Sequence, residues 1–461
     1  MWIVNATRRA RMLAAALAMG TASCSVTPAY HRHDADVPTS WSAAATDVAG
    51  VNASWWRGFG SPELDSLVAR SSERNLDLRA AIARIDEARG QAEVAGAPRY
   101  PSLGVAASAS QGVGPSGTRV QTIGVVASYE FDFWGRYAAQ ASSAGALADA
   151  SVFDAQTVWL TLQASVAETY LEILTLRARL ALAKHVVEAA RQTLVLVGAR
   201  AAGGVASQVE VEQQRNAVAT FEATVPALEQ QLDQRFHRLA ALTGDAPARF
   251  RTTGGDLLVL TVPRAAAGLP SSLLDRRPDI RAAEERLISA NFDVAAARAA
   301  FYPSFTLTAQ AGVGNTSLAS FFPPVLLANM VAGMTQPLFA GGRLEGQLRY
   351  DRAHATELLA TYRQAILNSL RDVEDALAAT MRTGELEIAD EAAADAARRA
   401  SMLARAQLEA GTADFLTVLT TERAEYQAGD ALLQVRLQRL RAAVGLFRAL
   451  GGGFGTQGRA S

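Results

Sequence analysis

Apolar residues along this chain follow a helical period, then a period of two, and then a helical period again. Residues 61–98 carry leucine and isoleucine at helical spacing among charged residues, and Pro98 and Pro101 end that run. After Pro101 every second residue is apolar, so we expect a strand with one apolar and one polar face. A second strand follows, whose alternate apolar positions are Ile123, Val125, Ala127, Tyr129, Phe131 and Phe133. The pattern predicts a helix that runs into a β-hairpin.

The same order of elements recurs about 205 residues later, as a direct comparison of the two stretches shows. Residues 77–102 and 279–304 share eleven identical positions without a gap, and both stretches end on Tyr-Pro-Ser. From Phe305 to Val313 the residues alternate strictly between apolar and polar, whereas the returning strand, expected over 329–339, alternates less cleanly. The chain therefore contains two tandem copies of one domain-sized unit.

Each hairpin is followed by a stretch that predicts a very long helix. Residues 136–200 and 343–410 contain no proline, and at 1.5 Å per residue each would extend about 100 Å. Apolar residues spaced three and four apart predict a coiled-coil seam on the first of them. The seam residues are Trp159, Leu162, Val166, Thr169, Ile173, Leu176 and Leu180, with Ile366, Ser369, Val373, Ala376 and Thr380 in register on the second helix. A glycine-containing break and a returning helix follow in each copy.

The predicted strands are about 10–13 residues long, which is enough to span a bilayer. An ordinary two-sheet core would show the same alternation, but helices of this length are too long to cover a small sheet. Four strands are too few to close a barrel, for which about eight is the minimum. If these strands span a membrane, several chains must supply them together.

Composition and charge narrow the possible functions. The 461 residues carry a net charge of −1 and form no basic stripe, so we expect no nucleic-acid partner. We find no spacing typical of a catalytic centre, a metal site or a cofactor site, and so predict that the chain is not an enzyme. The five histidines are scattered: His31, His33, His185, His237 and His354.

The N-terminus predicts an export signal, because three arginines precede an apolar run over 12–22. Cys24 is the only cysteine and stands directly after small residues, which resembles a bacterial lipoprotein signal. This resemblance implies that Cys24 becomes the mature N-terminus and carries a diacylglycerol and an N-acyl chain. Ordinary signal cleavage stays open as an alternative, because Thr21 occupies the position where lipoprotein signals usually have Leu.

Several motifs resemble the TolC-like outer-membrane efflux channels, in particular the NodT-type outer-membrane factor lipoproteins of resistance-nodulation-division systems. They are WWRGFGSPELDSLVARS (55–71), YEFDFWGR (129–136), RRPDIRAAEERLISANFDVAAARAAFYPS (276–304), QPLFAGGRL (336–344) and RALGGGF (448–454). The resemblance implies a homotrimer whose chains form a twelve-stranded β-barrel in the bacterial outer membrane, above a long α-helical barrel in the periplasm. It also implies two protein partners, a periplasmic adaptor and an inner-membrane pump, besides outer-membrane lipid.

We expect six regions in the chain. They are a signal peptide (1–23), a lipidated N-terminal periplasmic segment (24–60), repeat 1 (61–244), an equatorial linker (245–276), repeat 2 (277–451) and a tail (452–461), with the hairpins at about 101–133 and 303–339.

The break after each long helix is the predicted functional site. In the family it forms the closed periplasmic tip, where acidic side chains constrict the pore. The positions that match the family's acidic pair in the second copy are here Thr417 and Thr420. The nearby carboxylates are Glu210, Glu212 and Asp414, and our hypothesis is that Glu210 carries the acidic ring and Asp414 is second.

Two further interpretations concern the same region. The three carboxylates are equally consistent with solvated acids at helix N-termini, where the helix dipole favours them. Gly204 and Gly411 are expected to form the helix–turn–helix tips that an adaptor grips.

Three functions are therefore weighed. The main interpretation is a passive outer-membrane exit duct for drugs or other small toxic compounds. A duct for protein or peptide secretion would show the same sequence features. A structural periplasmic coiled-coil lipoprotein is disfavoured, because the apolar strand face of residues 305–313 would aggregate in water.

Overall fold

A computed structural model describes residues 32, 36–42, 52–111, 119–315 and 325–453. The first copy contains α1 (Pro62–Arg74), α2 (Leu76–Gly96), β1 (Ser102–Gln111), β2 (Arg119–Phe131), α3 (Arg136–Ala202) and α4 (Gln208–Thr243). The second contains α5 (Leu273–Arg276), α6 (Pro278–Ala299), β3 (Ser304–Asn315), β4 (Val325–Thr335), α7 (Arg343–Glu409) and α8 (Phe415–Ala449). The predicted order of helix, hairpin and long helix is confirmed in both copies, and α3 and α7 have 67 residues each.

Two elements differ from the sequence-based expectation. The helical run over 61–98 is broken at Asn75, whose extended backbone ends α1 and whose side-chain oxygen accepts the Leu78 N–H at 2.9 Å, which caps α2. The last strand begins at Val325 and ends at Thr335, four residues earlier than predicted at each end. Pro337 follows that end, and a proline has no N–H to donate to a ladder.

The described residues divide into two compact units, of which the first comprises those within 1–35, 83–153 and 281–364. This unit contains a single antiparallel sheet with the strand order β1-β2-β3-β4. The two predicted hairpins therefore pair with each other through β2 and β3, with Val125 opposite Ala311. Pairing between the hairpins was not predicted from the sequence.

The second unit comprises the described residues within 36–82, 154–280 and 365–461, and it holds the main core. The predicted seam is confirmed there, since Leu162, Val166 and Ile173 are all buried in one apolar cluster. Trp55, from the family-like segment near the start, stacks on Phe447 of α8 with ring centroids 5.3 Å apart. The seam residues thus pack helices of the two copies together.

The return helices of the two copies end in the same way. Gly244 follows α4 with φ +73° and Gly451 follows α8 with φ +85°, the left-handed conformation that glycine adopts without strain. A Cβ added to Gly244 would lie 2.7 Å from the carbonyl oxygen of Arg74, and one added to Gly451 would lie 2.7 Å from that of Arg276. The duplication therefore extends to a close backbone contact that admits only glycine.

Candidate functional site

One face of the sheet carries apolar residues from all four strands. Residues directly opposite each other across a ladder point to the same side, and the register aligns Val105, Val125, Ala311 and Ala328 in one row across the sheet. The neighbouring row on this face contains Ala107, Ile123, Val313 and Leu326. Val105 is 76% exposed and Leu326 77% exposed. An uncovered apolar face of this size is unfavourable in water and suits contact with hydrocarbon.

Aromatic residues cluster at the end of the sheet next to the helices. Consecutive ring contacts of 4.9–6.0 Å join Tyr129, Phe131, Phe133 and Phe305. Beside them Trp134 stacks on Tyr302 at 4.6 Å, and its indole N–H donates to the Pro303 carbonyl at 2.8 Å. Aromatic rings of this kind are enriched at the boundary between membrane and water, so this cluster, 129–134 with 302–305, indicates one boundary of the apolar face.

The two predicted tip turns have the same geometry. Gly204 and Gly411 follow the long helices with φ of 74° and 75°. In both turns the N–H of the next residue donates to the carbonyl five residues back at 2.9 Å, which closes the helix end in a Schellman-type turn. A Cβ added to either glycine would meet nothing within 4 Å. The turns are therefore open to solvent in the described chain, as expected for a contact site.

The first copy's carboxylates are both engaged locally. Glu210 forms a capping box with Ser207, in which the carboxylate accepts the Ser207 N–H at 2.6 Å and the Ser207 hydroxyl accepts the Glu210 N–H. Glu212 is exposed and pairs with Arg215 at 2.5 Å. The local role of Glu210 is thus to begin α4, which is the alternative interpretation weighed above.

The second copy begins its return helix in a corresponding way. Asp414 caps α8 by accepting the Thr417 N–H at 2.7 Å. Hydrogen bonds from the side chain and the backbone of Thr417 hold the pKa of this exposed carboxyl below its ordinary value. Thr420 is exposed and donates its hydroxyl to the Leu416 carbonyl at 2.7 Å. Of the five predicted constriction residues, Asp414 is therefore an exposed carboxylate that favours its charged form.

The two tips are neighbours in the second unit. Val211, in the first turn of α4, and Phe415, the first residue of α8, belong to one buried apolar cluster. Arg200, near the end of α3, donates to the Leu408 carbonyl near the end of α7 at 3.0 Å. Sequence reasoning missed Arg200, although a basic residue in the last turn of a helix is a recognisable signal.

A buried polar cluster above the tips was also missed. Glu422 of α8 has no exposed surface, and its carboxylate accepts hydrogen bonds from Thr193 of α3 at 2.7 Å and from Arg405 of α7 at 3.1 Å. Gln214 of α4 approaches the other carboxylate oxygen at 3.4 Å. One carboxylate therefore joins all four long helices. No spacing rule points to it, because its partners lie far away in the sequence.

The Arg-Pro-Asp motif has a clear structural role. Arg277 holds Asp279 with two hydrogen bonds of 2.7 and 3.0 Å, reaches Asp372 of α7 at 3.3 Å, and donates to the Ala449 carbonyl at the end of α8. The motif thus fixes the start of α6 against two other helices of the second unit.

Other predicted features have separate outcomes. Cys24, His31 and His33 lie outside the described residues. Among the residues that the structure describes, no group of histidine, cysteine and acidic side chains is arranged to hold a metal ion. Across the same ranges, every helix is too short or too polar to cross a membrane.

Comparison with known proteins agrees with this arrangement. The family model described as outer membrane efflux protein matches residues 67–245 and 269–452. The pyoverdine export outer membrane protein OpmQ of Pseudomonas aeruginosa is 38% identical over 96% of both chains. Outer membrane protein OprJ of the same organism is 32% identical over 95% of both chains.

A solved structure shares the fold as well. The outer-membrane channel OprN superimposes with a TM-score of 0.87 at 28% identity, covering 94% of this chain and all of that one. The motifs, the duplicated topology and these matches lead to one conclusion. The chain belongs to the outer membrane efflux protein family.

Proposed function

We propose that this chain is the outer-membrane duct of a three-part efflux system, in which a periplasmic adaptor joins it to an inner-membrane resistance-nodulation-division pump. Its place in an efflux system of the outer membrane follows from the family. The observation that carries the rest is the continuous apolar face of the four-stranded sheet, with its row through Val105, Val125, Ala311 and Ala328. The proposed chemistry is passive conduction, so we also propose that the chain is not an enzyme and needs no cofactor.

The sheet edges support a homotrimer. β1 and β4 are the outer strands, and within the described residues each pairs along one edge only. Unpaired backbone groups facing lipid are very unfavourable, and about eight strands are needed to close a barrel. Three copies would supply four strands each and pair every edge. We infer a closed sheet of three chains around one pore.

The particle extracted from outer membranes in mild detergent tests this function. We expect mass photometry to find three chains per particle and negative-stain images to show a threefold tube. A monomer, or a protein that leaves the membrane without detergent, would contradict the duct.

The cargo we propose is small organic molecules, either drugs and other toxic compounds or a secreted metabolite. The second class is favoured by the similarity over 96% of both chains to OpmQ, which is named for pyoverdine export. Protein or peptide secretion is not favoured by any of the relatives named above. A deletion strain should retain its cargo in the periplasm, and mass spectrometry of periplasmic extracts distinguishes a metabolite from an accumulated drug.

We further propose that Cys24 carries the diacylglycerol and N-acyl chains of a lipoprotein. The position of the cysteine after the apolar run supports it, and a lipid anchor adds to the membrane attachment of the strands.

We propose that the tip carboxylates form the cation-selective constriction, with Glu210 first and Asp414 second. Glutamine at position 210 should reduce cation selectivity severalfold in single-channel recordings, because threefold symmetry would remove three charges from one ring. Glutamine still accepts the Ser207 N–H, so the capping box and the fold survive. Glu222→Gln is the control, because it removes the same charge from the same helix about 18 Å away. Equal selectivity in both variants would exclude Glu210 from the constriction.

The cap formed by Asp414 should depend on pH with a defined sign. Its pKa is lower in the folded state than the ordinary 3.8, so the stabilisation is present above that value and is lost as pH falls through the lowered pKa. We expect Asp414→Asn to lower the unfolding temperature at about pH 7, and this effect to diminish progressively as the pH falls below 3.8 and through the lowered pKa. A difference that persists unchanged at the acidic end would show that the charge of Asp414 is not what caps α8.

The turn glycines are proposed as the adaptor contact. Gly411→Val should weaken adaptor binding while trimers still form, because the site is open and the cost is the left-handed backbone, about 1–2 kcal/mol. Gly135→Val is the matched control, since Gly135 has φ +72° and equally open surroundings but precedes α3 in the other unit. Adaptor affinity measured by biolayer interferometry decides the matter. Normal affinity in the Gly411 variant would place the contact elsewhere.

A further inference from the structure

Glu284 is a buried carboxylate near the start of α6, within the motif that begins at Arg276. Only 4% of its side chain is exposed. A carboxylate removed from water is strongly destabilising unless cations and hydrogen bonds compensate for the lost hydration. The position therefore requires a partner, and the function proposed above uses none of its properties.

Arg32, from the N-terminal arm, supplies the main contact. Its Nε donates to Oε1 of Glu284 at 2.7 Å and its Nη2 donates to Oε2 at 2.8 Å. This two-pronged arrangement is the strongest way in which an arginine binds a carboxylate. The pair joins residues 252 positions apart in the sequence, so it holds Arg32 against α6.

Arg281 prepares the site from within α6. Its Nη1 donates to Oε2 of Glu284 at 3.1 Å, its Nη2 lies 3.6 Å from Glu285, and its guanidinium rests over the Phe153 ring. Arg281 thus orients the Glu284 carboxylate, with both oxygens accepting from Arg32. Glu284 and Arg281 lie one turn apart on the same helix, so their contact does not depend on the N-terminal arm.

We propose that Glu284 is the docking site of the N-terminal arm at Arg32. In this proposal the Arg32–Glu284 pair sets the point along α6 at which the segment leading to the lipidated Cys24 is attached. The tether role rests on the lipidation of Cys24 proposed above. The docking itself does not depend on lipidation.

Chain lengths fit this role. Seven residues lie between Cys24 and Arg32, so the eight steps along the chain allow a span of at most about 28 Å. Along α6, the 15 residues from Glu284 to Ala299 rise about 22 Å, and Tyr302 of the aromatic cluster follows. An arm held at Glu284 therefore lets Cys24 reach the membrane boundary with little slack, whereas an arm held two turns further from the sheet would fall short.

Trypsin cleavage of the detergent-extracted, assembled protein tests the docking. The bond after Arg32 is a trypsin site, and a guanidinium bound on two sides cannot enter the protease. We expect slow release of the peptide that ends at residue 32 in the parent protein. Glu284→Gln should accelerate its release about tenfold or more, since a hydrogen bond to a charged group is lost along with the ion pair.

Two further variants sharpen the test. Arg32→Lys keeps the charge and the trypsin site but cannot form the two parallel hydrogen bonds to the Glu284 carboxylate. Release of the peptide should therefore accelerate, but less than in Glu284→Gln. Asp293→Asn is the matched control, because it removes a carboxylate from the same helix about 13 Å away and should leave the rate unchanged. Equal yields of assembled protein for all variants show that the fold is retained.

The outcomes separate the two parts of the proposal. Equal release rates in the parent and Glu284→Gln proteins would overturn the docking site, whatever the peptide carries. The mass of the released peptide shows independently whether Cys24 is acylated. If the parent protein releases the peptide slowly and Cys24 in that peptide is not acylated, the docking site is supported but its role as a lipid tether is overturned.

Discussion

Adding one methyl group at Gly312 should remove most of the assembled protein from the outer membrane. Gly312 of β3 lies opposite Gly124 of β2 in the ladder that joins the two hairpins. A Cβ on Gly312 would lie 2.4 Å from the Ile123 carbonyl oxygen, and one on Gly124 would lie 2.6 Å from that of Ala311. Backbone atoms cannot rotate away as a side chain does, so the strands must separate.

The expected cost of Gly312→Ala is about 3 kcal/mol, the upper range for overpacked sites, with broken ladder hydrogen bonds in addition. The consequence exceeds that of an ordinary core substitution, because β2 and β3 form the ladder between the two copies in this chain. The amount of heat-modifiable oligomer in the outer-membrane fraction measures the effect.

Gly104→Ala provides the matched control for Gly312→Ala. Gly104 lies on the same polar face of the sheet, opposite Val126, and an added Cβ there meets nothing within 4 Å. Its variant should assemble at close to the parent level. Similar losses in both variants would show that strand glycines matter for flexibility in general and not for the close approach of β2 and β3.

A second large effect is expected at the ends of the return helices. Gly244→Ala combines two costs, the left-handed backbone at about 1–2 kcal/mol and a Cβ 2.7 Å from the Arg74 carbonyl oxygen. Together they should destabilise the protein by about 3 kcal/mol or more. Gly451→Ala should behave in the same way, because its Cβ would meet the Arg276 carbonyl at the same distance.

Gly135→Ala separates the two costs. Gly135 has nearly the same φ, +72°, and open space around its Cβ, so its variant should show the backbone cost alone. The unfolding temperature of the detergent-solubilised protein, followed by circular dichroism, ranks the three variants. If Gly135→Ala were as destabilised as Gly244→Ala, the close contact with the Arg74 carbonyl would not contribute to the loss of stability.

The sequence alone determined the order and nature of the elements. A change of apolar period and a proline or glycine at the boundary are local signals, so Pro101 and Gly135 indicated where a helix ends and where the next begins. The same holds for the seam at Leu162, Val166 and Ile173, because residues three and four apart share a helix face whatever packs against it. The duplication was evident from identities at a fixed offset.

The predicted site was only partly determined by the sequence. The sequence located the tip turns, because Gly204 and Gly411 interrupt two otherwise continuous helices. It left two roles open for Glu210, and the structure shows that its carboxylate closes a capping box with Ser207. Whether the Glu210 side chain can reach the Ser207 N–H depends on the backbone conformation of the turn, and the amino-acid composition does not specify that conformation.

Only the tertiary structure decided which distant residues meet. The pairing of β2 with β3, the burial of Glu422 among four helices and the hold of Arg32 on Glu284 each join residues far apart in the chain. A periodic pattern states which face of an element is apolar, but it does not name the element that covers that face. Such contacts are decided by packing within each unit, and buried charges accept only the partners that this packing provides.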